Sequence, residues 1–268
     1  MDKVLTHYAK TFRKAVYNIS MSLLVKVVFD IPINDSFDYI SDDKKVKIGS
    51  RVRVSFGNTT RIGVIIDVIA VDSKPKTYKI KKIDELIDEI PILTKEMFKT
   101  CKWASSYYHH PIGQVIFSAM TPVHRKQRKE PASKLDIQHN ESFETLTLNA
   151  EQKQIYDSLI EVKKKFKVNV IRGVTGSGKT ELYVKLAKKS IEAYLQVLIM
   201  VPEINLIPQT LERFKKYLKI IPLQYHSNLT PVQKHKVWKA CYEEDQIIVI
   251  GTRSSIFLPF KELGLIVI

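Results

Sequence analysis

The segment Gly173-Val174-Thr175-Gly176-Ser177-Gly178-Lys179-Thr180 fits the pattern GxxxxGK[ST] at every position. Glycines in this pattern let a loop close tightly enough for its backbone N–H groups to point inward at phosphate oxygens. A helix opening at the lysine adds its positive N-terminal end to the same place. Lys179 is then the point charge for the β- and γ-phosphates, and the Thr180 hydroxyl is the ligand offered to Mg2+. Such a loop needs a strand before it, a helix after it and a parallel sheet to carry both. The flanking sequence predicts that scaffold. Residues 168–171 are a short apolar run, read as the strand before the loop, and residues 180–194 carry an apolar stripe at Tyr183, Leu186, Ala187, Ile191 and Tyr194. Residues 197–201 (VLIMV), 247–250 and 265–268 are continuous apolar runs, as expected of strands covered on both faces. Residues 150–166 fit a helix, and Thr230-Pro231 has the form of an N-cap followed by proline at the first helical position. This α/β alternation predicts a parallel sheet with helices on both sides.

The first third of the chain has a different rhythm. Arg51-Val52-Arg53-Val54-Ser55-Phe56 alternates with period two, Gly57-Asn58 is turn chemistry, and residues 61–68 read as a second strand. Two such runs across a short connection predict a hairpin. Several short strands without intervening helices predict a small barrel or sandwich over residues 22–90. The period then changes. Met97, Phe98, Cys101, Ala104, Tyr107 and Tyr108 recur at helical spacing, and Pro111 is expected to end that helix. Tyr107, Tyr108, His109 and His110 read as helix packing and capping rather than as ligands, because no metal spacing accompanies them.

Lys plus Arg number 43 against 28 Asp plus Glu, a formal charge of +15. That excess favours a polyanionic partner, nucleic acid before an anionic membrane surface. Two cysteines far apart, Cys101 and Cys241, exclude a disulfide framework and a zinc site made of cysteines alone, and they suit a reducing, cytoplasmic setting. No apolar run approaches the roughly 18 residues of a membrane span. Residues 1–20 read as an extension if Met21 is the true start. Residues 21–122 form the expected β-rich domain with its C-terminal helix, 123–146 a basic linker with Arg125, Lys126, Arg128 and Lys129 clustered, and 147–268 a partial P-loop lobe.

A P-loop specifies a nucleotide, not a reaction. Phosphoryl transfer also needs a carboxylate to hold Mg2+, normally at the C-terminal end of another strand. The run at 265–268 is such a strand, and the sequence is expected to be cut just before that carboxylate.

Several segments in one order resemble the primosomal protein N′ (PriA) family of replication-restart helicases. GVTGSGKTELY (173–183) is similar to the family's motif I, VPEINLIPQT (201–210) to motif Ia, and HSNLTPVQKHKVW (226–238) with IIVIGTRSSIFLPFKELGLIVI (247–268) to the stretch through motif Ib and the strand before motif II. FDYI (37–40), GSRVRVSFG (49–57) and RIGVI (61–65) resemble its N-terminal domain, which binds the 3′ end of a nascent strand, and YYHHPIGQVIFSAM (107–120) the segment that follows.

The resemblance implies an ATP-dependent 3′→5′ DNA helicase that recognises stalled forks, using ATP and Mg2+, with single-strand-binding protein and other primosome proteins as partners. By residue, it implies Phe37, Asp38, Tyr39, Gly57 and Lys81 as a 3′-end pocket, with strand packing an alternative for Phe37 and Tyr39. Gln152 is implied as the adenine reader, with a solvated helix-start residue as the alternative. Gly251, Thr252, Arg253 and Ser254 are implied as a contact to the single-stranded DNA backbone, and Pro202, Glu203 and Gln209 as motif Ia, where Glu203 orders the loop. The family's winged helix, motif II, second lobe, arginine finger and zinc-binding cysteines have no counterpart in these 268 residues. This chain is therefore expected to bind DNA and nucleotide with little or no hydrolysis. A non-catalytic DNA-end-binding module with a vestigial nucleotide site stays open, and a P-loop kinase is disfavoured by the charge and by the GTRS segment.

Overall fold

In the computed structural model, which describes residues 22–71, 80–126, 135, 137–160, 166–174 and 176–268, the chain divides into two compact units, residues 1–118 and 119–268. In the first, the period-two run is strand β3 (Arg51–Phe56), and it pairs with β4 (Thr59–Val71) across Gly57-Asn58, as its alternation predicts. Gly57 takes φ +58°, a left-handed conformation that glycine supplies at no steric cost. With β1 (Ser22–Val28), β2 (Phe37–Ser41) and β5 (Lys81–Leu86), they close a barrel in the order β1-β2-β5-β3-β4. The barrel alternative is thus the one realised. Its core is Val25, Val27, Phe29, Tyr39, Val46, Val52, Val54 and Ile65.

Helix α1 (Lys95–Tyr107) is capped by Thr94, whose hydroxyl accepts the Met97 N–H at 3.2 Å. Met97, Phe98, Cys101 and Ala104 form its buried face. Tyr107 and Tyr108 do not follow them inward. They are 64% and 67% exposed and cluster with Trp103, whose ring stacks on Tyr107 at 5.1 Å. Tyr107 thus packs along its own helix, but neither tyrosine continues the buried stripe that the helical spacing implied. The helix ends at Tyr107, and His109 turns the chain at φ +50°. Helix α2 (Ile112–Ala119) lies against the barrel so closely that a methyl group on Gly113 would sit 2.0 Å from the Phe29 carbonyl oxygen.

The second unit contains α3 (Pro122–Arg125), α4 (Ala150–Ile160), α5 (Lys179–Glu192), β6 (Gln196–Met200), α6 (Leu206–Tyr217), β7 (Leu223–Tyr225), α7 (Pro231–Glu243), β8 (Ile248–Gly251), a 3-10 turn (Arg253–Phe257) and β9 (Leu263–Val267). Its four strands are all parallel, ordered β7-β8-β6-β9. Apolar residues of α5 (Val184, Ala187) and α6 (Ile207, Phe214) pack on Val197, Ile199, Ile248 and Ile250. Thr230 and Gln233 form a reciprocal capping box at the start of α7.

Two expectations change here. The run at 168–171 forms no strand, and Val168 and Val170 are 74% and 81% exposed. A strand exists only through a partner, and among the described residues none pairs with this run or with the outer side of β9. The described parts of 123–146 are also not a free linker. Val123 and His124 are buried, and the His124 ring lies 4.6 Å from that of Trp238 on α7. Asn140 Nδ2 donates to the Lys215 and Leu218 carbonyls at 2.7 and 2.9 Å, satisfying the open end of α6. Arg128 and Lys129 lie outside the described residues.

Candidate nucleotide and nucleic-acid sites

Helix α5 opens where the motif predicts. Gly178 is its N-cap at φ +78°, and Gly176 sits at φ +80°. L side chains rarely adopt either conformation. The loop is tight as well as left-handed: a methyl group on Gly173 would lie 2.6 Å from Ser177 Oγ, and one on Gly178 would lie 2.1 Å from Gln152 Nε2. Lys179 folds over the loop, its Nζ donating to the Gly173 and Val174 carbonyls at 2.7 and 2.9 Å. An ammonium held by two carbonyls of the glycine loop is placed to exchange them for phosphate oxygens, which are stronger acceptors. Thr175 lies outside the described residues.

Gln152 is brought to the loop by the first turn of α4. Its Oε1 accepts the Asn149 N–H at 2.9 Å, and its Nε2 donates to the Gly178 carbonyl at 3.2 Å. The side chain therefore braces the P-loop, and each end of the amide keeps one hydrogen-bonding position for another partner. The Thr180 hydroxyl faces α6, where Arg213 Nη1 donates to it at 3.1 Å. Among the described residues no group of three His, Cys, Asp or Glu side chains could hold a metal ion. The residues present fit Mg2+ only through the Thr180 hydroxyl, with the remaining ligands supplied by a nucleotide.

At the C-terminal ends of β6, β7 and β8 a groove of about 520 Å³ is lined by Pro202, Glu203, Ile204, Asn205, Ser227, Thr252, Arg253 and Ser254. The sheet register explains the convergence, because Met200 pairs with Gly251 and Gly251 with Tyr225. Gly251 is buried behind the groove, where a methyl group would meet the Tyr225 carbonyl at 2.7 Å. The structure thus joins Pro202 and Glu203 with Thr252, Arg253 and Ser254. It places Gln209 elsewhere, in a smaller cavity of about 210 Å³ beside Thr180. The sequence reading missed Ile204, Asn205 and Ser227 as lining residues. Ser227 is held by Lys234, whose Nζ donates to the Ser227 carbonyl at 2.9 Å. Burial and then the Lys234 charge hold the neighbouring His226 below the usual imidazole range. The groove offers one guanidinium and three hydroxyls beside the Glu203 carboxylate and the Asn205 amide; its Arg253 end is the part suited to phosphate oxygens.

In the barrel, the five residues expected to meet a 3′ end fall into three places. Phe37 and Tyr39 share the inner face of β2. Phe37 packs on Phe29 and Phe56 at 5.4 and 5.0 Å between ring centroids, and Tyr39 is 4% exposed. Both rings pack in the barrel, Tyr39 buried and Phe37 half-buried. The Tyr39 hydroxyl donates to the Ser55 carbonyl at 3.2 Å; burial, then the Asp84 charge, raises its pKa and keeps it a donor. Asp38 points the other way, paired with Lys26 at 3.3 Å. Lys81 neighbours Tyr39 across the parallel β2–β5 pair, and its Nζ lies 3.5 Å from the Gly57 carbonyl. Gly57 and Lys81 therefore do meet, at the end of the barrel marked by the β3–β4 turn.

Comparison with known proteins divides the chain along the same lines. Residues 26–121 match the family model of the 3′ DNA-binding domain of PriA, and residues 149–268 match that of the DEAD/DEAH box helicases. The replication restart protein PriA of Rickettsia felis is 35% identical over 86% of this chain and 34% of its own length. That of Borreliella burgdorferi is 31% identical over 90% of this chain and 37% of its own, and that of Haemophilus influenzae 29% over 91% and 44%. The chain thus spans between a third and a half of the length of these curated relatives.

Proposed function

This chain belongs to the PriA family of replication restart proteins, and we propose that it supplies the DNA-end-binding barrel and part of the nucleotide-driven lobe of an ATP-dependent 3′→5′ helicase acting at stalled forks. The observation that carries this reading is the pairing of sites on one sheet. The P-loop helix α5 and the phosphate-suited groove at Arg253 both rest on the four parallel strands of the second unit. In this reading Lys179 and the loop amides bind the phosphates, Thr180 holds Mg2+ as part of the nucleotide complex, and Gln152 meets the adenine. Pro202, Glu203, Thr252, Arg253 and Ser254 grip one DNA strand, and Asp38, Gly57 and Lys81 meet its 3′ end at the barrel. Among the described residues no helix is long and apolar enough to cross a membrane, and a cytoplasmic site of action is part of the proposal. Single-strand-binding protein and other primosome proteins are the proposed protein partners, and the exposed Trp103–Tyr107–Tyr108 patch is a surface of the kind such partners use.

Fluorescence anisotropy with tailed duplexes tests the DNA half. A free 3′-hydroxyl is expected to bind roughly tenfold more tightly than a 3′-phosphate, because a phosphate would face the Asp38 carboxylate. Equal binding of the two ends would remove Asp38 from the pocket. Arg253→Ala should weaken single-stranded DNA binding and reduce its salt dependence by about one phosphate contact.

The second reading, a DNA-end-binding module without catalysis, differs from the first in one measurable respect. Under it, steady-state ATP hydrolysis by this chain on forked DNA stays at background. Turnover of ordinary enzyme size, about 1–1000 per second, that disappears in Lys179→Ala would contradict this.

A further inference from the structure

Arg213 belongs to no motif read in the sequence, yet it is the residue that engages the Thr180 hydroxyl. Its Nη1 donates to Thr180 Oγ1 at 3.1 Å, and both side chains line the 210 Å³ cavity with Gln209 and Thr210. Arg213 sits two turns into α6, and α6 begins at Leu206, directly after the Pro202–Asn205 wall of the groove. One helix therefore runs from the groove to the hydroxyl. The hydroxyl oxygen has two lone pairs, and the guanidinium, charged at every accessible pH, occupies one of them. A divalent cation accepted on the other would stand a few ångströms from that charge, a separation at which like charges repel.

We propose that Arg213 is a positioning residue. It holds Thr180 while no divalent cation is bound there and withdraws when one takes the hydroxyl, so that the state of the nucleotide site reaches the DNA groove along α6. This inference rests on the ATP and DNA reading above.

The test measures binding of a fluorescent non-hydrolysable ATP analogue to the full chain in Mg2+ and in EDTA. Wild type, Arg213→Gln and Arg213→Lys are compared with and without single-stranded DNA. Arg213 is exposed, so the variants should melt as wild type does. Arg213→Gln keeps a donor and drops the charge. It is expected to bind the analogue at least about fivefold more tightly in Mg2+, with no change in EDTA, and to lose the effect of Mg2+-nucleotide on DNA affinity. Arg213→Lys keeps the charge and should retain the wild-type Mg2+-to-EDTA ratio. Equal ratios for wild type and Arg213→Gln overturn the inference and leave both sites standing. A wild-type chain that binds no analogue in either buffer removes the nucleotide reading and the inference with it.

Discussion

Asp88→Ala is expected to destabilise the barrel by about 3–5 kcal/mol, the range for removing one partner of a buried ion pair. Arg51 and Asp88 keep only 6% and 10% of their side-chain surface exposed. The carboxylate accepts from Arg51 Nε at 2.7 Å, from Nη2 at 2.6 Å and from the Arg51 backbone N–H at 3.0 Å. Alanine would leave a guanidinium that cannot lose its proton enclosed in protein. The pair also has a position that matters. Arg51 opens β3 and Asp88 follows β5, so together they staple the β3–β5 edge near its register shift at Arg53/Val54. Loss of the staple frees the β3–β4 turn and β5, which carry Gly57 and Lys81. Denaturant unfolding should therefore show the barrel's midpoint falling together with discrimination between 3′-hydroxyl and 3′-phosphate ends. Two controls separate this from a general charge effect. Lys82→Ala breaks an exposed pair with Asp42 and should cost under about 1 kcal/mol. Replacing Arg51 and Asp88 together by apolar residues of similar size should recover most of the loss. An Asp88→Ala protein as stable as wild type would show that the pair adds nothing to barrel closure.

Local rules made some parts of this molecule legible. Period two at 51–56, with Gly57-Asn58 after it, specified a hairpin because alternation and turn chemistry agree there. The P-loop helix and the α7 N-cap at Thr230 were readable for the same reason. The run at 168–171 misled, since apolar composition marks a segment that can pair and says nothing about whether a partner strand is at hand. Tyr107 and Tyr108 misled in the opposite sense: the helix ends at Tyr107, Tyr108 lies beyond it, and both rings turn outward. The 3′-end residues illustrate a third limit. FDYI is contiguous in sequence, but pleating sends Phe37 and Tyr39 to the core and Asp38 to the outer face. Ser227 and Arg213 carried no local signal, because each reaches its site through the order of strands in the sheet and the axis of a helix.

Lys179→Ala is expected to weaken Mg-nucleotide binding roughly ten- to hundredfold, and to leave the melting temperature and DNA-end binding unchanged. The size follows from the bonds at stake. An ammonium donating to phosphate makes charge-assisted hydrogen bonds, each with a net contribution of about 1.5–3 kcal/mol, and about 1.4 kcal/mol is a factor of ten in Kd. The specificity of the effect follows from the geometry. Lys179 Nζ touches only the Gly173 and Val174 carbonyls in the described structure, at an exposed position where water can replace it. The fold therefore has little to lose from alanine, and the barrel shares none of these contacts. Gln152→Ala should behave differently, because its amide bridges Asn149 and the Gly178 carbonyl; there nucleotide affinity and loop order should fall together. Nucleotide-induced thermal shift, read against DNA anisotropy on the same samples, separates the two. If Lys179→Ala shifts with Mg-nucleotide as far as wild type does, the lysine meets no phosphate, and the loop binds through its amides and helix end alone.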